Sequence, residues 1–237
     1  RTPFRISFVG GGTDLRSFYS EEPGRVLSTS IDKYIYVVVK RQVGIVEYKY
    51  RINWSKVEFC NDIEDIEHPI VREALKLFKI DFPLEITTFS DIPGSTGLGS
   101  SSSFCVGLVH ALYALSGKYA TKHTLASEAA SIEVDILLRT MGKQDHFASA
   151  YGDLNIFTFN SDGSVVTEPV FYTGEVRRSL EQNLMLFYTE LKRNASEVLE
   201  SQYKATNNKR DVLAKMRDLV NPLRDVLSGN QDMRRFG

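Results

Sequence analysis

Two hydrophobic periods share this chain. Phe4, Ile6 and Phe8 alternate with Arg5 and Ser7, which predicts a half-buried strand. It runs into Gly10-Gly11-Gly12, a sharp turn where backbone has to come close to another group. The stretch IDKYIYVVV, Ile31 to Val39, is β-branched and aromatic and predicts a second strand. Glu47 to Phe59 alternates loosely and predicts one or two more, and Leu84–Phe89, Leu154–Phe159 and Leu184–Thr189 predict others. The helical period appears over Pro69–Phe78, with Pro in the first turn, and again where Phe104, Leu108, Ala111, Leu112 and Leu115 line one face before Gly117. Leu125–Arg139 predicts a second amphipathic helix, ended near Gly142. Ser196–Tyr203 and Lys209–Leu227 read as helical, the latter broken at Pro222. Strands cluster early and helices mix in later, so the expected class is α+β.

With 237 residues the chain is long enough for one large domain or two small ones, and 42% hydrophobic residues supply a sizeable core. A net charge of −1 argues against a general nucleic-acid or membrane-surface binder. No stretch is long and apolar enough to span a bilayer. The two cysteines, Cys60 and Cys105, do not make a disulfide framework, and the expected setting is reducing and cytoplasmic. The opening RTPFRISF lacks the plan of a signal peptide and has no Met, and the closing QDMRRFG follows a helical segment without a stop signal. Further residues are therefore expected at both ends.

The stretch PGSTGLGSSSSF, Pro93 to Phe104, lies between a strand and an apolar helix. Backbone N–H groups at a helix N-terminus and the helix dipole attract anions. Gly97 and Gly99 remove side chains so that phosphate oxygens can approach, and Ser101, Ser102 and Ser103 add hydroxyls. A flexible turn with serine caps is the competing account. The order of glycines fits neither the P-loop, which needs Gly-Lys-Ser/Thr, nor the dinucleotide fingerprint. Glu133 sits among Ala129, Ala130, Ile136 and Leu137 at helical spacing, where a carboxylate is costly to bury unless paired or metal-bound. The alternative is an edge position on a narrow stripe. Near a phosphate cradle, Glu133 becomes a candidate Mg²⁺ ligand. Asp145, in Gly142-Lys143-Gln144-Asp145-His146, reads as a loop carboxylate able to take a proton from a hydroxyl, or as a simple turn aspartate. His146 reads as satisfying local hydrogen bonds, and Trp54 as a core residue that could instead stack a base.

Taken together these residues resemble the GHMP kinases, the group of galactokinase, homoserine kinase, mevalonate kinase and phosphomevalonate kinase. The motif Pro-x-x-x-Gly-Leu-Gly-Ser-Ser is matched by Pro93, Gly97-Leu98-Gly99 and Ser100-Ser101. The sugar-kinase motif Pro-x-Arg, followed by Gly-Glu-His-Thr-Asp, is matched at Pro3, Arg5, Thr13 and Asp14. The segment Gly142–Asp145 resembles the galactokinase loop that carries the catalytic aspartate.

The resemblance implies a two-domain fold. A ribosomal-protein-like α/β domain would occupy residues 1–180, and an incomplete ferredoxin-like domain would start at 181–237. It implies ATP and Mg²⁺ as cofactors, with Pro93, Gly94, Gly97, Leu98, Gly99, Ser100, Ser101, Ser102 and Ser103 at the ATP phosphates and Ser101 and Glu133 at the metal. Asp145 would orient or deprotonate the sugar hydroxyl beside Arg5, which helps keep it ionised. Gly11, Gly12, Thr13 and Asp14 would face the sugar.

Gly11-Gly12 stands where galactokinase has Glu-His, which leaves room, removes a negative charge and argues for a larger or anionic sugar. The phrases TPFRISFVGGGTDL, VLSTSIDKY and GKQDHFASAYGDLN most resemble the bacterial heptose 7-phosphate kinases. The substrate so implied is D-glycero-D-manno-heptose 7-phosphate, a small sugar phosphate, phosphorylated at its anomeric hydroxyl on the way to surface polysaccharide. Arg16, Lys143 and Arg193 are candidate cations for the distal phosphate, Lys143 the best placed because it neighbours Asp145. A kinase for fucose or another free sugar, and a sugar sensor on the same fold, remain open. The third Gly-rich motif of GHMP kinases does not occur before Gly237.

Overall fold

The computed structural model describes residues 1–94, 96–188, 190, 209–230 and 232–236. The chain divides into two compact units, Arg1–Arg5 with Ile31–Tyr151 and Ile6–Ser30 with Gly152–Gly237. The strands β1 (Thr2–Val9) and β2 (Gly24–Arg41) pair with each other and contribute residues to both units.

In the first unit the strand order is β4-β3-β5-β2, built from β3 (Tyr50–Asn53), β4 (Val57–Cys60) and β5 (Leu84–Ser90). The sheet is mixed: β2 and β5 run antiparallel from Ile35↔Ser90 to Arg41↔Leu84, whereas β3 and β5 run parallel from Tyr50↔Leu84 to Asn53↔Thr87. Helix α2 (Pro69–Leu77) starts where the spacing predicts, with Pro69 in the first turn and the His68 side chain accepting from the Val71 N–H. Its stripe of Ile70, Val71, Ala74 and Leu75 is buried with Tyr50, Ile52, Leu84 and Ile86 and with Cys105, Leu108, Val109 and Leu112 of α3 (Ser100–Leu115). Each such large side chain stabilises the fold by about 1.5–3 kcal/mol. At Gly107 a Cβ would lie 2.6 Å from the Thr2 hydroxyl oxygen, so α3 approaches β1 closely there.

The predicted helix Leu125–Arg139 is shorter and irregular. Helix α4 (Lys122–Ala130) begins earlier, capped by Thr121, and passes into a wider π-helical turn, Ser131–Ile136. Leu138 then takes a left-handed backbone, φ 52°, which ends the helix before Gly142. The segment after Gly142 is α5 (Gln144–Tyr151), so Asp145 occupies the first turn of a helix and not a loop. The short apolar run Phe147–Ala150 has too few turns to show helical period in sequence.

In the second unit β2 pairs antiparallel with β6 (Leu154–Phe159), and β6 with β7 (Val165–Pro169), a strand the sequence pattern did not reveal. The short helix α1 (Arg16–Tyr19), α6 (Gly174–Asn183), α7 (Arg210–Asp218) and α8 (Val220–Asp225) complete its main elements. Its core gathers Val9, Leu27, Leu154, Ile156, Val170, Val220 and Leu227. The break in the C-terminal helical stretch falls at Leu219, with Pro222 in the first turn of α8, where its missing N–H is harmless. Of the strand expected over Leu184–Thr189, the described part, Leu184–Tyr188, belongs to no element, and its hydrophobic side chains are exposed. Apolar composition alone does not make a sheet. The helix expected over Ser196–Tyr203 lies outside the described residues.

The triple-glycine turn is as close-packed as its sequence implies. Gly10 has φ +90°, and a Cβ there would lie 2.0 Å from the Arg25 carbonyl oxygen. Thr13 holds the turn through its hydroxyl, which donates to Gly10 O at 2.7 Å and accepts from the Arg25 N–H at 3.0 Å. Gly10→Ala combines a disfavoured backbone with a clash against main chain and should destabilise the protein by about 3 kcal/mol or more. Chemical denaturation of wild type and variant measures this; an unchanged midpoint would show that the turn relaxes freely.

Candidate active site

The centre of the site is the N-terminus of α3. Its N-cap residue, Gly99, has a left-handed backbone (φ 77°, ψ 28°) and no side chain to cap the helix. The first-turn N–H groups are therefore left to any anion that reaches them. Pro93, Gly94 and Gly97 are exposed, and a Cβ at Gly94 or Gly97 would meet nothing within 4 Å. The loop backbone is held from below by Arg5: its N–H donates to Leu98 O at 3.2 Å, and its Nη1 donates to Gly97 O at 2.9 Å.

The same guanidinium grips Asp145. Arg5 Nε donates to Oδ1 at 2.7 Å, and Nη2 lies 2.6 Å from the same oxygen. A Cβ on Gly99 would sit 3.2 Å from Asp145 Oδ2, so the carboxylate lies against the cap of α3. Helical pitch explains the alignment, because residues four apart share a face. Gly99 and Ser103 on α3 meet Asp145 and Ser149 on α5, the two serine hydroxyls being 2.8 Å apart.

His146, one residue on, turns through about 100° and faces a different neighbour. Its Nε2 is 2.9 Å from Glu133 Oε2. The other oxygen of Glu133 accepts from the Ser101 hydroxyl at 2.5 Å and from Arg139 Nη1 at 2.5 Å, and Arg139 Nη1 also donates to Ser101 Oγ at 2.9 Å. Glu133 is fully buried, which decides for the paired carboxylate over the edge position. Burial pushes its pKa up, but the hydrogen bond and electrostatic pull of His146, the Ser101 hydroxyl and the Arg139 charge outweigh that and hold it at about 2. Glu133 lies in the π-helical turn, and such turns often occur at functional sites.

A buried, ionised carboxylate beside a hydroxyl is hard-oxygen chemistry that fits Mg²⁺, which takes few protein ligands and completes its shell with phosphate oxygens and water. No group of three or more His, Cys, Asp or Glu able to hold a metal ion occurs among the described residues.

Ser102 and Ser103 are buried; the Ser103 hydroxyl donates to Pro3 O and its N–H to Gly99 O, so its polar groups serve packing and the helix ladder, not a phosphate. Lys143 immediately precedes α5, and Phe147 N–H donates to its carbonyl at 3.3 Å. Gly11, Gly12, Thr13, Asp14 and Arg16 belong to the other unit, where the Gly12 N–H donates to Asp14 Oδ1 at 3.0 Å. Arg193 lies outside the described residues. Trp54 is tied down, its Nε1 donating to Glu58 Oε1 at 2.6 Å and its ring set edge-on to His68, whose own ring lies tilted against Phe104. Burial pushes the His68 pKa down to about 4. Sequence reasoning missed Arg139 and undervalued His146. Arg139 is six residues from Glu133, a separation that a regular α-helix does not place on one face. His146 carried no signal beyond its adjacency to Asp145.

Residues 69–153 match the family model of the GHMP kinases N terminal domain, and the mixed α/β fold is shared with solved heptose-phosphate and mevalonate kinases. Among curated proteins it is 29% identical over 209 residues to the D-glycero-alpha-D-manno-heptose 7-phosphate kinase of Campylobacter jejuni, covering 84% of this chain and 62% of that protein. It is 24% identical over 157 residues to the galactokinase of Thermotoga neapolitana, covering 64% of this chain and 43% of the relative. The chain thus spans less than two thirds of the length of these relatives. A crystal structure of a D-glycero-D-manno-heptose 1-phosphate kinase from Bacteroides thetaiotaomicron superposes with a TM-score of 0.72 at 21% identity, over 91% of this chain and 72% of that one.

The depressed pKa of Glu133 has a consequence for stability. Because the folded value lies below the ordinary 4.5, its contribution is full above about 4.5 and is lost as pH falls through about 2. The shift corresponds to about 3 kcal/mol. Wild type should therefore exceed Glu133→Gln in unfolding free energy by about that much at neutral pH, with the gap narrowing in acid. Urea titrations across that range check it; a pH-independent gap would mean that packing, not charge, sets the loss.

Proposed function

We propose that the intact protein is an ATP-dependent sugar kinase that transfers the γ-phosphoryl group to the anomeric hydroxyl of a sugar phosphate. D-glycero-D-manno-heptose 7-phosphate is the favoured acceptor. The observation that carries this is the convergence of Asp145 and of the Ser101–Glu133 pair on one uncapped helix N-terminus. Phosphoryl transfer is mostly positioning and charge neutralisation, and each part of this site has a role in it.

In this reading the N–H groups of the Gly97–Ser101 segment hold the triphosphate. Asp145 orients the acceptor hydroxyl and receives its proton, while Arg5 fixes the carboxylate through Oδ1 and leaves Oδ2 on the Gly99 side. Ser101 and Glu133 would hold Mg²⁺, which supplies charge neutralisation at the phosphate oxygens. Support for a phosphorylated sugar comes from Gly11-Gly12 in place of Glu-His and from the heptose kinase relative. The assignment of Thr13 and Asp14 to the sugar, and of Arg16, Lys143 and Arg193 to its phosphate, rests on sequence resemblance.

Asp145→Asn in the full-length protein should lower kcat by about 10²–10⁴-fold with a much smaller change in KM, because the lost interaction belongs mainly to the transition state. Unchanged biological activity in that variant would favour a sugar sensor. Assay of free and phosphorylated sugars with Mg·ATP should give the highest kcat/KM for the heptose 7-phosphate. A comparable value for galactose or fucose would replace the sugar-phosphate reading with that of a free-sugar kinase.

A further inference from the structure

Arg139 occupies a telling position. A single nitrogen, Nη1, contacts both Ser101 Oγ at 2.9 Å and Glu133 Oε1 at 2.5 Å, the two oxygens assigned to the metal. The remaining oxygen of Glu133 is engaged by His146. The guanidinium thus occupies the position between the two oxygens that would hold a divalent ion. It is held by a helix end, not by the packed core: the backbone N–H of Arg139 donates to Glu133 O at 3.0 Å, directly after the left-handed Leu138. The Arg139 side chain is 34% exposed, whereas Glu133 and His146 are fully buried. The carboxylate is enclosed on all sides, and the guanidinium has room to leave.

We propose that Arg139 is a resident counter-ion that holds the Ser101–Glu133 position in the absence of nucleotide and yields it to a divalent cation arriving with the triphosphate. This rests on the kinase reading above. The physical case is charge balance. Glu133 has no solvent to stabilise it, so it needs a cation at all times. A lone hydrated Mg²⁺ has to shed water and displace a tethered guanidinium that then has no partner. When the cation comes with a triphosphate, the freed guanidinium finds phosphate oxygens, a geometry it suits. Arg139 thereby discourages metal binding without nucleotide and couples the two ligands.

Mn²⁺ binding, read from the electron paramagnetic resonance signal of the free ion, tests this without any turnover. Wild type, Arg139→Gln and Arg139→Lys are titrated with Mn²⁺, alone and with the non-hydrolysable analogue AMPPNP. The expected result is that Arg139→Gln binds Mn²⁺ alone about tenfold or more tightly than wild type, since removing a contacting like charge is worth at least about one pK unit. Arg139→Lys should stay near wild type because the positive charge remains, and Glu133→Gln should abolish the gain. An increase in affinity is not a product of misfolding, so the prediction is safe against a merely destabilised variant. Equal or weaker Mn²⁺ affinity in Arg139→Gln, with normal binding to wild type plus AMPPNP, overturns the counter-ion and leaves the kinase reading intact. Absence of Mn²⁺ binding to wild type even with AMPPNP overturns both.

Discussion

A carboxylate with no exposed surface is the constraint around which the site is arranged. Glu133 stays ionised in the core only because Ser101, Arg139 and His146 each meet it directly. Removing any one of them leaves a buried charge less compensated, which is more costly than losing an ordinary hydrogen bond. Those three partners come from the start of α3, the turn that follows the π-helical segment and the first turn of α5. Satisfying one charge therefore sets the mutual placement of three elements, and with them the direction of the α3 N-terminus.

The second arrangement follows from the first. Once His146 is turned toward Glu133, helical geometry sends Asp145 to the neighbouring face, against Gly99 and within reach of Arg5. Arg5 then links the carboxylate to the loop by bonding Gly97 and Leu98 carbonyls, so β1, the Gly-rich loop and α5 meet at one guanidinium. Glycine is required at residue 99 on two grounds: the left-handed backbone, and a gap that a Cβ would close to 3.2 Å from the carboxylate. The start of α3 and the Asp145 carboxylate thus share one boundary, and the proposed phosphoryl transfer rests on that arrangement.

Much of the first unit was legible because its elements announce themselves locally. Pro69 and His68 mark the start of α2, the stripe from Phe104 to Leu115 marks α3, and β-branched runs mark β2 and β5. The kinase resemblance rested on the short segments around Arg5, Gly97–Ser101 and Asp145, and all three converge in the structure. Legibility failed where a residue's role depends on a distant partner. Ser103 looks like another phosphate donor in a row of serines, but its hydroxyl is taken by Pro3 O and Ser149. Leu184–Tyr188 has the composition of a strand and pairs with no strand among the described residues.

Residue pattern alone established the class of fold, a Gly/Ser segment at the head of a buried helix, and the demand that Glu133 be paired if buried, since periodicity, propensity and desolvation are properties of the chain within a few turns. Which groups pair with it follows from the packed chain. The π-helical widening and the left-handed Leu138 bring Arg139 back to Glu133, and the packing of α5 on α3 delivers His146. These contacts depend on angles accumulated over many residues, and no local pattern encodes them.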